Sequence, residues 1–170
     1  LVYLDAMSSI LSGNGRTGLR EDITIVPTGG LDKIVTFVAL LNANKLKLAV
    51  LHDYRGKPEQ KLLDLVRDKI VSAKFLMNAS QFRDINHIGT ASQQSDTEDL
   101  FSVTAYLECF NKAFTKELGG KAIKEKDLPP GDRIIDRIER LLEAKGVLIR
   151  PTGGFNHYTV AATFARTPAG

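Results

Sequence analysis

The apolar positions fall into blocks whose spacing alternates between helical and strand-like. Leu1, Leu4, Met7, Ile10 and Leu11 share one face of a helix that ends at the breaker cluster Ser12-Gly13-Asn14-Gly15. Ile23 to Val26 reads as a short apolar strand ending at Pro27-Thr28-Gly29-Gly30. The helix expected next, Leu31 to Asn42, is apolar on most sides through Ile34, Val35, Phe37, Val38, Leu40 and Leu41, which predicts tight packing on a sheet. A strand over Leu46 to Leu51, a helix from Pro58 to Ile70 and a strand over Ala73 to Met77 complete this part.

Apolar strands separated by amphipathic helices predict the α/β class, with a parallel sheet covered by helices on both faces. Right-handed crossovers would set the carboxyl ends of the strands along one edge, where ligands gather in open α/β sheets. The loops at Thr28-Gly29-Gly30, at His52 to Gly56 and after Asn78 are expected there. From Ala79 to Gln94 the chain turns polar without a defensible period. A helix is then expected from near Glu98, with Leu100, Val103, Leu107, Phe110 and Phe114 at helical spacing. After the basic, proline-containing link Gly119 to Gly131 comes a helix with Ile134, Ile135, Ile138, Leu141 and Leu142 on one face, and a last short helix near Val160 to Phe164. No internal repeat or low-complexity tract interrupts this order.

Composition narrows the class. At 170 residues, 43% apolar and 25% charged, the chain is ordinary for a globular protein with a core of its own. Its one cysteine, Cys109, lies inside a helical pattern, which leaves no disulfide framework or cysteine zinc site and fits a reducing, cytoplasmic compartment. Apolar runs fall far short of the roughly 18 residues of a membrane span, and a signal-peptide pattern is missing, so no membrane role is expected. Because the chain starts at Leu1 inside a helical pattern, a piece of something longer is expected. A net charge of +3 and a pI near 9.0 permit an anionic partner such as nucleic acid without demanding one.

The candidate chemistry is acidic. In Lys45-Leu46-Lys47-Leu48-Ala49-Val50-Leu51-His52-Asp53-Tyr54-Arg55-Gly56 an apolar strand runs straight into a carboxylate. Asp53 is either turn chemistry, capping the helix that follows, or a ligand for a hard cation such as magnesium or manganese. Ser95-Asp96-Thr97-Glu98-Asp99 offers the same choice. Ser95 and Glu98 match a capping box, yet three carboxylates within four residues exceed what one cap needs, and with Asp53 they could hold two divalent ions. His52, His87 and His157 have no zinc-binding spacing, although His157 sits in a glycine-rich turn from which it could reach a ligand. Thr28-Gly29-Gly30 could take a phosphate on backbone N–H groups but lacks the lysine and spacing of a Walker A loop. Lys112, Lys116, Lys121, Lys124, Lys126, Arg133, Arg137 and Arg140 form a basic stretch that reads as solvated faces unless it shares a side with the acids.

Taken in order, a strand ending in Pro-Thr-Gly-Gly, a helix, a strand ending in Leu-His-Asp-Tyr-Arg-Gly and a later Ser-Asp-Thr-Glu-Asp-Leu-Phe resemble the Toprim domain of OLD-family (overcoming lysogenization defect) nucleases. The resemblance covers Leu1 to Phe114 and, more loosely, the tail through Phe155-Asn156-His157-Tyr158. It implies a Toprim-like domain over 1–118 with a helical extension over 119–170. The implied activity is a Mg2+- or Mn2+-dependent endonuclease or nickase that acts on DNA with two divalent ions. Such a domain is normally fused to an N-terminal ABC-type ATPase, through which alone ATP would enter, in a protein that forms homo-oligomers.

Residue by residue, Asp53 takes the place of the first aspartate of the family's Asp-x-Asp motif, and Arg55 stands where the second often lies. Asp96 and Glu98 match the later acidic pair, and His157 falls near a basic residue able to steady the transition state. The family's first motif, a Glu-Gly pair followed by an Asp, is not among these residues and would precede Leu1. Two rivals stay open: a receiver-like or flavodoxin-like signalling domain with Asp53 as phosphoacceptor or lone ligand, and a catalytically silent Toprim-like module that binds DNA or a partner protein.

Overall fold

The computed structural model describes residues 1–83 and 94–166. Among them the chain is mixed α/β: helices α1 (Val2–Gly13), α2 (Leu31–Ala43), α3 (Gln60–Arg67), α4 (Val103–Ala113), α5 (Ile134–Ala144) and α6 (His157–Arg166), with a small sheet of β1 (Val50–His52) and β2 (Leu76–Asn78). No described helix is long and apolar enough to cross a membrane. The chain divides into two compact units, one of residues 1–26 with 101–170 and one of residues 27–100. The expected domain limit at 118 falls inside the first.

The unit of residues 27–100 is a short β-α-β element with α2 beside it. The strands run parallel with Val50 opposite Leu76, Leu51 opposite Met77 and His52 opposite Asn78, so both carboxyl ends reach the same edge, as expected. Ile34 and Val38 of α2, Val50, Leu62 and Leu65 of α3, and Val71 form its core. Helix α3 is shorter than the apolar pattern predicted. Glu59 is still extended at its start, and Lys69, at φ 57°, turns the chain left-handed before Ile70 can join. The salt bridge between Lys61 and Asp32 ties α3 to α2.

Several expectations for residues 23–78 fail, among them the strand over Ala73 to Met77, which is a 3₁₀ turn over Ala73–Phe75 before β2 begins. Ile23 to Val26 is not a strand, and Ile23 and Val26 are exposed. The strand expected over Leu46 to Leu51 shrinks to Val50–His52, with Leu46 exposed. A strand persists only where a neighbour takes its backbone hydrogen bonds, and the second strand supplies three positions. Helix α2 buries only Ile34 and Val38 and leaves Phe37 and Leu40 exposed, because the broad sheet that would have covered it is not formed by the described residues.

The other unit is helical. Tyr3 of α1, Tyr106, Leu107 and Phe110 of α4, all five predicted apolar positions of α5, and Val160, Ala161 and Phe164 of α6 share one core. The inward face of α1 is centred on Tyr3, Met7 and Ile10 instead of Leu1, which is exposed. Helix α4 starts at Val103, later than Glu98, because Ser102 caps it by accepting the Ala105 N–H at 3.2 Å. Gly119 and Gly120, at φ 59° and 75°, turn the chain after α4 in the left-handed region that glycine enters freely. The link that follows is pinned by Asn111, whose amide donates to the Ile123 carbonyl at 2.9 Å and accepts its N–H at 2.8 Å.

Candidate functional site

The site grows out of the carboxyl end of β1. His52, the last strand residue, contacts the Asp53 carbonyl through Nδ1 at 2.6 Å. A carbonyl only accepts, so that nitrogen carries the proton. One residue further, the Tyr54 N–H donates to the Ser95 carbonyl at 2.7 Å, and the Tyr54 carbonyl accepts the reciprocal bond from the Ser95 N–H at 2.8 Å. This isolated antiparallel bridge fastens the loop after β1 to the acidic segment. Its register sets Asp53 across from Asp96 and Arg55 diagonal to Asp96, all on the face opposite Tyr54.

Like charges directly across a strand pair repel, and Arg55 answers them. Its Nη1 lies 3.0 Å from Asp96 Oδ1 and its Nη2 3.8 Å from Asp53 Oδ2. The Asp96 side chain is only 6% exposed, against 44% for Arg55 and 48% for Asp53. The pair with Asp96 is the consequential one, since a buried carboxylate needs a partner while a half-exposed pair at 3.8 Å gains little.

Beyond Asp96 a 3₁₀ turn, Thr97–Leu100, carries Glu98 and Asp99. The capping box expected of Ser95 and Glu98 for the long helix is not formed. Instead the Asp96 N–H donates to Asp99 Oδ2 at 2.8 Å, closing the turn on itself. Asp99 is buried and lies 3.8 Å from Arg83 Nη2, while Arg83 Nη1 donates to the Gln94 carbonyl at 2.8 Å. Glu98, within this turn, has a carboxyl pushed up from 4.5 to about 7. Burial is the main cause and the charges of Asp96, Asp53 and Asp99 add to it, against a hydrogen bond from its own backbone N–H.

Asp53, Asp96 and Glu98 are therefore neighbours in one unit. His157 belongs to the other unit, where it begins α6, exposed, with its ring 4.9 Å from that of Phe155. His87 lies outside the described residues. Thr28-Gly29-Gly30 precedes α2 with Gly30 as its N-cap, but no strand leads into it. The basic stretch divides by role. Arg133 pairs with Asp136, and Arg137 and Arg140 donate to the Pro129 and Pro130 carbonyls, so these arginines shape the link. Lys112, Lys116, Lys121, Lys124 and Lys126 are all exposed.

One member of the charged group escaped the sequence reading: Arg83 lay in a polar stretch without periodicity, where nothing marks a charge for burial. Asp99 was legible only as one of three carboxylates in the acidic segment, with nothing to single it out for capping and burial.

As donors, Asp53, Asp96 and Glu98 suit a hard divalent cation, and a carboxyl raised to about 7 chiefly by burial, with the charges of neighbouring carboxylates adding to it, is one whose ionised form a cation would favour. Among the described residues no three His, Cys, Asp or Glu side chains close on a single metal position. The chain matches no protein-family model, no curated protein and no solved structure.

Proposed function

We propose that residues 27–100 are a Toprim-like unit of a metal-dependent DNA endonuclease or nickase, with Asp53, Asp96 and Glu98 as the residues that hold Mg2+ or Mn2+. The observation that carries this reading is the meeting of Asp53 with the acidic segment at the carboxyl end of β1, where the Tyr54 and Ser95 bridge joins the two and Arg55 reaches both Asp53 and Asp96, with the raised Glu98 carboxyl on the turn that follows. Bound there, divalent ions would activate water and stabilise the leaving oxygen of a phosphodiester. The chain's own contribution is positional. The Tyr54 and Ser95 bridge fixes the separation of Asp53 and Asp96, and the Asp99 cap orients the turn that presents Glu98. The exposed lysines of α4 and the following link belong to the helical unit and are a separate candidate for contact with a phosphate backbone, where affinity would be salt-sensitive and largely sequence-independent.

A second reading, a catalytically silent Toprim-like binding module, is favoured by Arg55, a side-chain cation lying where a metal would be wanted. Mn2+ titration of the wild-type chain, Asp53→Asn and Glu98→Gln tests the first reading, with nicking of supercoiled plasmid as the companion assay. Mn2+ binding that both substitutions abolish supports it. Binding that neither substitution weakens overturns it, and DNA binding with neither Mn2+ binding nor nicking selects the silent module.

A further inference from the structure

In the helical unit, the end of α4 and the link after it enclose a recess of about 330 Å³, lined by Lys112 on the helix and by Thr115, Leu118, Lys121 and Ala122 beyond it. Its frame is held by hydrogen bonds that turn to the backbone. The Asn111 amide grips Ile123 from both sides, the Thr115 hydroxyl donates to the Asn111 carbonyl at 2.7 Å, and the Gly120 N–H donates to the Thr115 carbonyl at 2.9 Å. Gly119 and Gly120 double the chain back, so that Lys121 lines the same recess as Lys112.

Ligand pockets span roughly 300–1,000 Å³ and combine apolar walls with a few placed polar groups. This one is at the small end of that range. Leu118 and Ala122 supply apolar surface, and Lys112 and Lys121 supply positive charge. Paired ammonium groups suit a dianion. Lysine meets phosphate as a point charge, whereas a planar carboxylate is matched best by the arginine fork, and no arginine is among the residues lining the recess. Glu108 stands one turn before Lys112 on α4 and offsets part of its charge, so the larger share of the attraction falls to Lys121.

We propose that this recess binds a small organic phosphate, its dianionic monoester group between Lys112 and Lys121 and its compact body on Leu118 and Ala122. The site belongs to the helical unit and needs no cation bound at the acidic segment. Two sources offer the same chemistry, a free nucleotide and the phosphorylated end of a nucleic-acid strand.

The test is calorimetric titration, without divalent metal, of the wild-type chain, Lys121→Gln, Ala122→Phe and a control beyond the recess, Lys126→Gln. The probes are adenosine monophosphate, adenosine, inorganic phosphate, and a short single-stranded DNA with and without a terminal phosphate. All three substituted positions are exposed, so the variants should melt like wild type. Adenosine monophosphate should bind more tightly than adenosine or inorganic phosphate. Lys121→Gln should weaken it about tenfold or more, the loss of one charge-assisted contact. Ala122→Phe should weaken it by filling the recess, and Lys126→Gln should leave it unchanged. Tighter binding of the DNA that carries the terminal phosphate, lost in Lys121→Gln, identifies a strand end as the source; no such difference, with the nucleotide bound, identifies a free phosphate ester. Failure of adenosine monophosphate to bind, binding no tighter than that of inorganic phosphate, full binding in Ala122→Phe, or equal weakening by Lys121→Gln and Lys126→Gln overturns the site. None of these results bears on Mn2+ binding by the acidic residues, which is measured separately.

Discussion

The backbone N–H of Asp96 donates to Oδ2 of Asp99 at 2.8 Å, and this one bond redistributes the roles of the acidic segment. Asp99 becomes the cap of its own 3₁₀ turn, Asp96 faces Arg55, and Glu98 sits within the turn with a raised carboxyl. Three acids that look interchangeable in the sequence are thus structural, paired and half-buried with a raised carboxyl, respectively.

Asp99→Ala should therefore be the most destabilising single change in the segment. It removes the turn's cap and takes a buried carboxylate away from the nearly buried Arg83. A loss of about 3 kcal/mol is expected, as for breaking one side of a buried charged contact. Urea denaturation monitored by circular dichroism measures it; a loss no greater than that of a surface substitution, below about 0.5 kcal/mol, would contradict the capping role.

Glu98→Gln should behave in the opposite way, and its effect should depend on pH. The folded carboxyl titrates at about 7 against an ordinary value of 4.5. Below the ordinary value both states hold the proton and burial carries no ionisation cost. As the pH rises the unfolded chain ionises first, so stability falls until the folded carboxyl ionises too. Glutamine does not titrate. The variant should match wild type in acid and exceed it by about 2 kcal/mol at pH 8, taking 1.36 kcal/mol per pH unit and allowing for partial exposure. A stability difference that stays flat between pH 4 and pH 8 would show that Glu98 is not held protonated.

What the sequence revealed follows the physics of each signal. The α5 stripe was fully legible because an amphipathic helix needs only a core to face, and all five of its predicted positions are buried. The carboxylate at the end of β1 and the acidic segment stood out by charge alone, and it is the antiparallel bridge of Tyr54 and Ser95 that joins them, where the sequence pattern predicts parallel strand order. Strands were overread: Ile23 to Val26 and Leu46 to Ala49 have strand composition but no paired neighbour among the described residues, and pairing is a long-range property that local pattern does not carry. The capping box was misassigned for a related reason. Ser95 fits the motif, but its backbone is committed to Tyr54, and Ser102 lies nearer the first regular turn of α4.

Asn111 should be nearly irreplaceable in the helical unit. Its amide mimics a peptide group, donating to the carbonyl and accepting from the N–H of buried Ile123. Alanine leaves both backbone groups unsatisfied, at a cost of about 2–3 kcal/mol. Aspartate keeps the acceptor but sets a carboxylate against a carbonyl oxygen, so it should recover little. Chemical denaturation of both variants distinguishes this from a packing effect, which the near-isosteric aspartate would preserve.

The last prediction joins the raised Glu98 carboxyl to the proposed ion. A divalent cation bound to Glu98 stabilises the carboxylate and expels its proton, so binding and proton release are linked. With a folded value of about 7, the carboxyl is close to half protonated at pH 7, nearly fully protonated at pH 5.5 and nearly ionised at pH 8.5. Mn2+ binding should accordingly release about half a proton at pH 7 from this group, nearly one at pH 5.5 and almost none at pH 8.5. Calorimetric titration in two buffers of different ionisation enthalpy measures the number directly. Glu98→Gln should abolish the pH-dependent part, and a release that persists unchanged in that variant would assign it to another group and remove Glu98 from the ion's ligands.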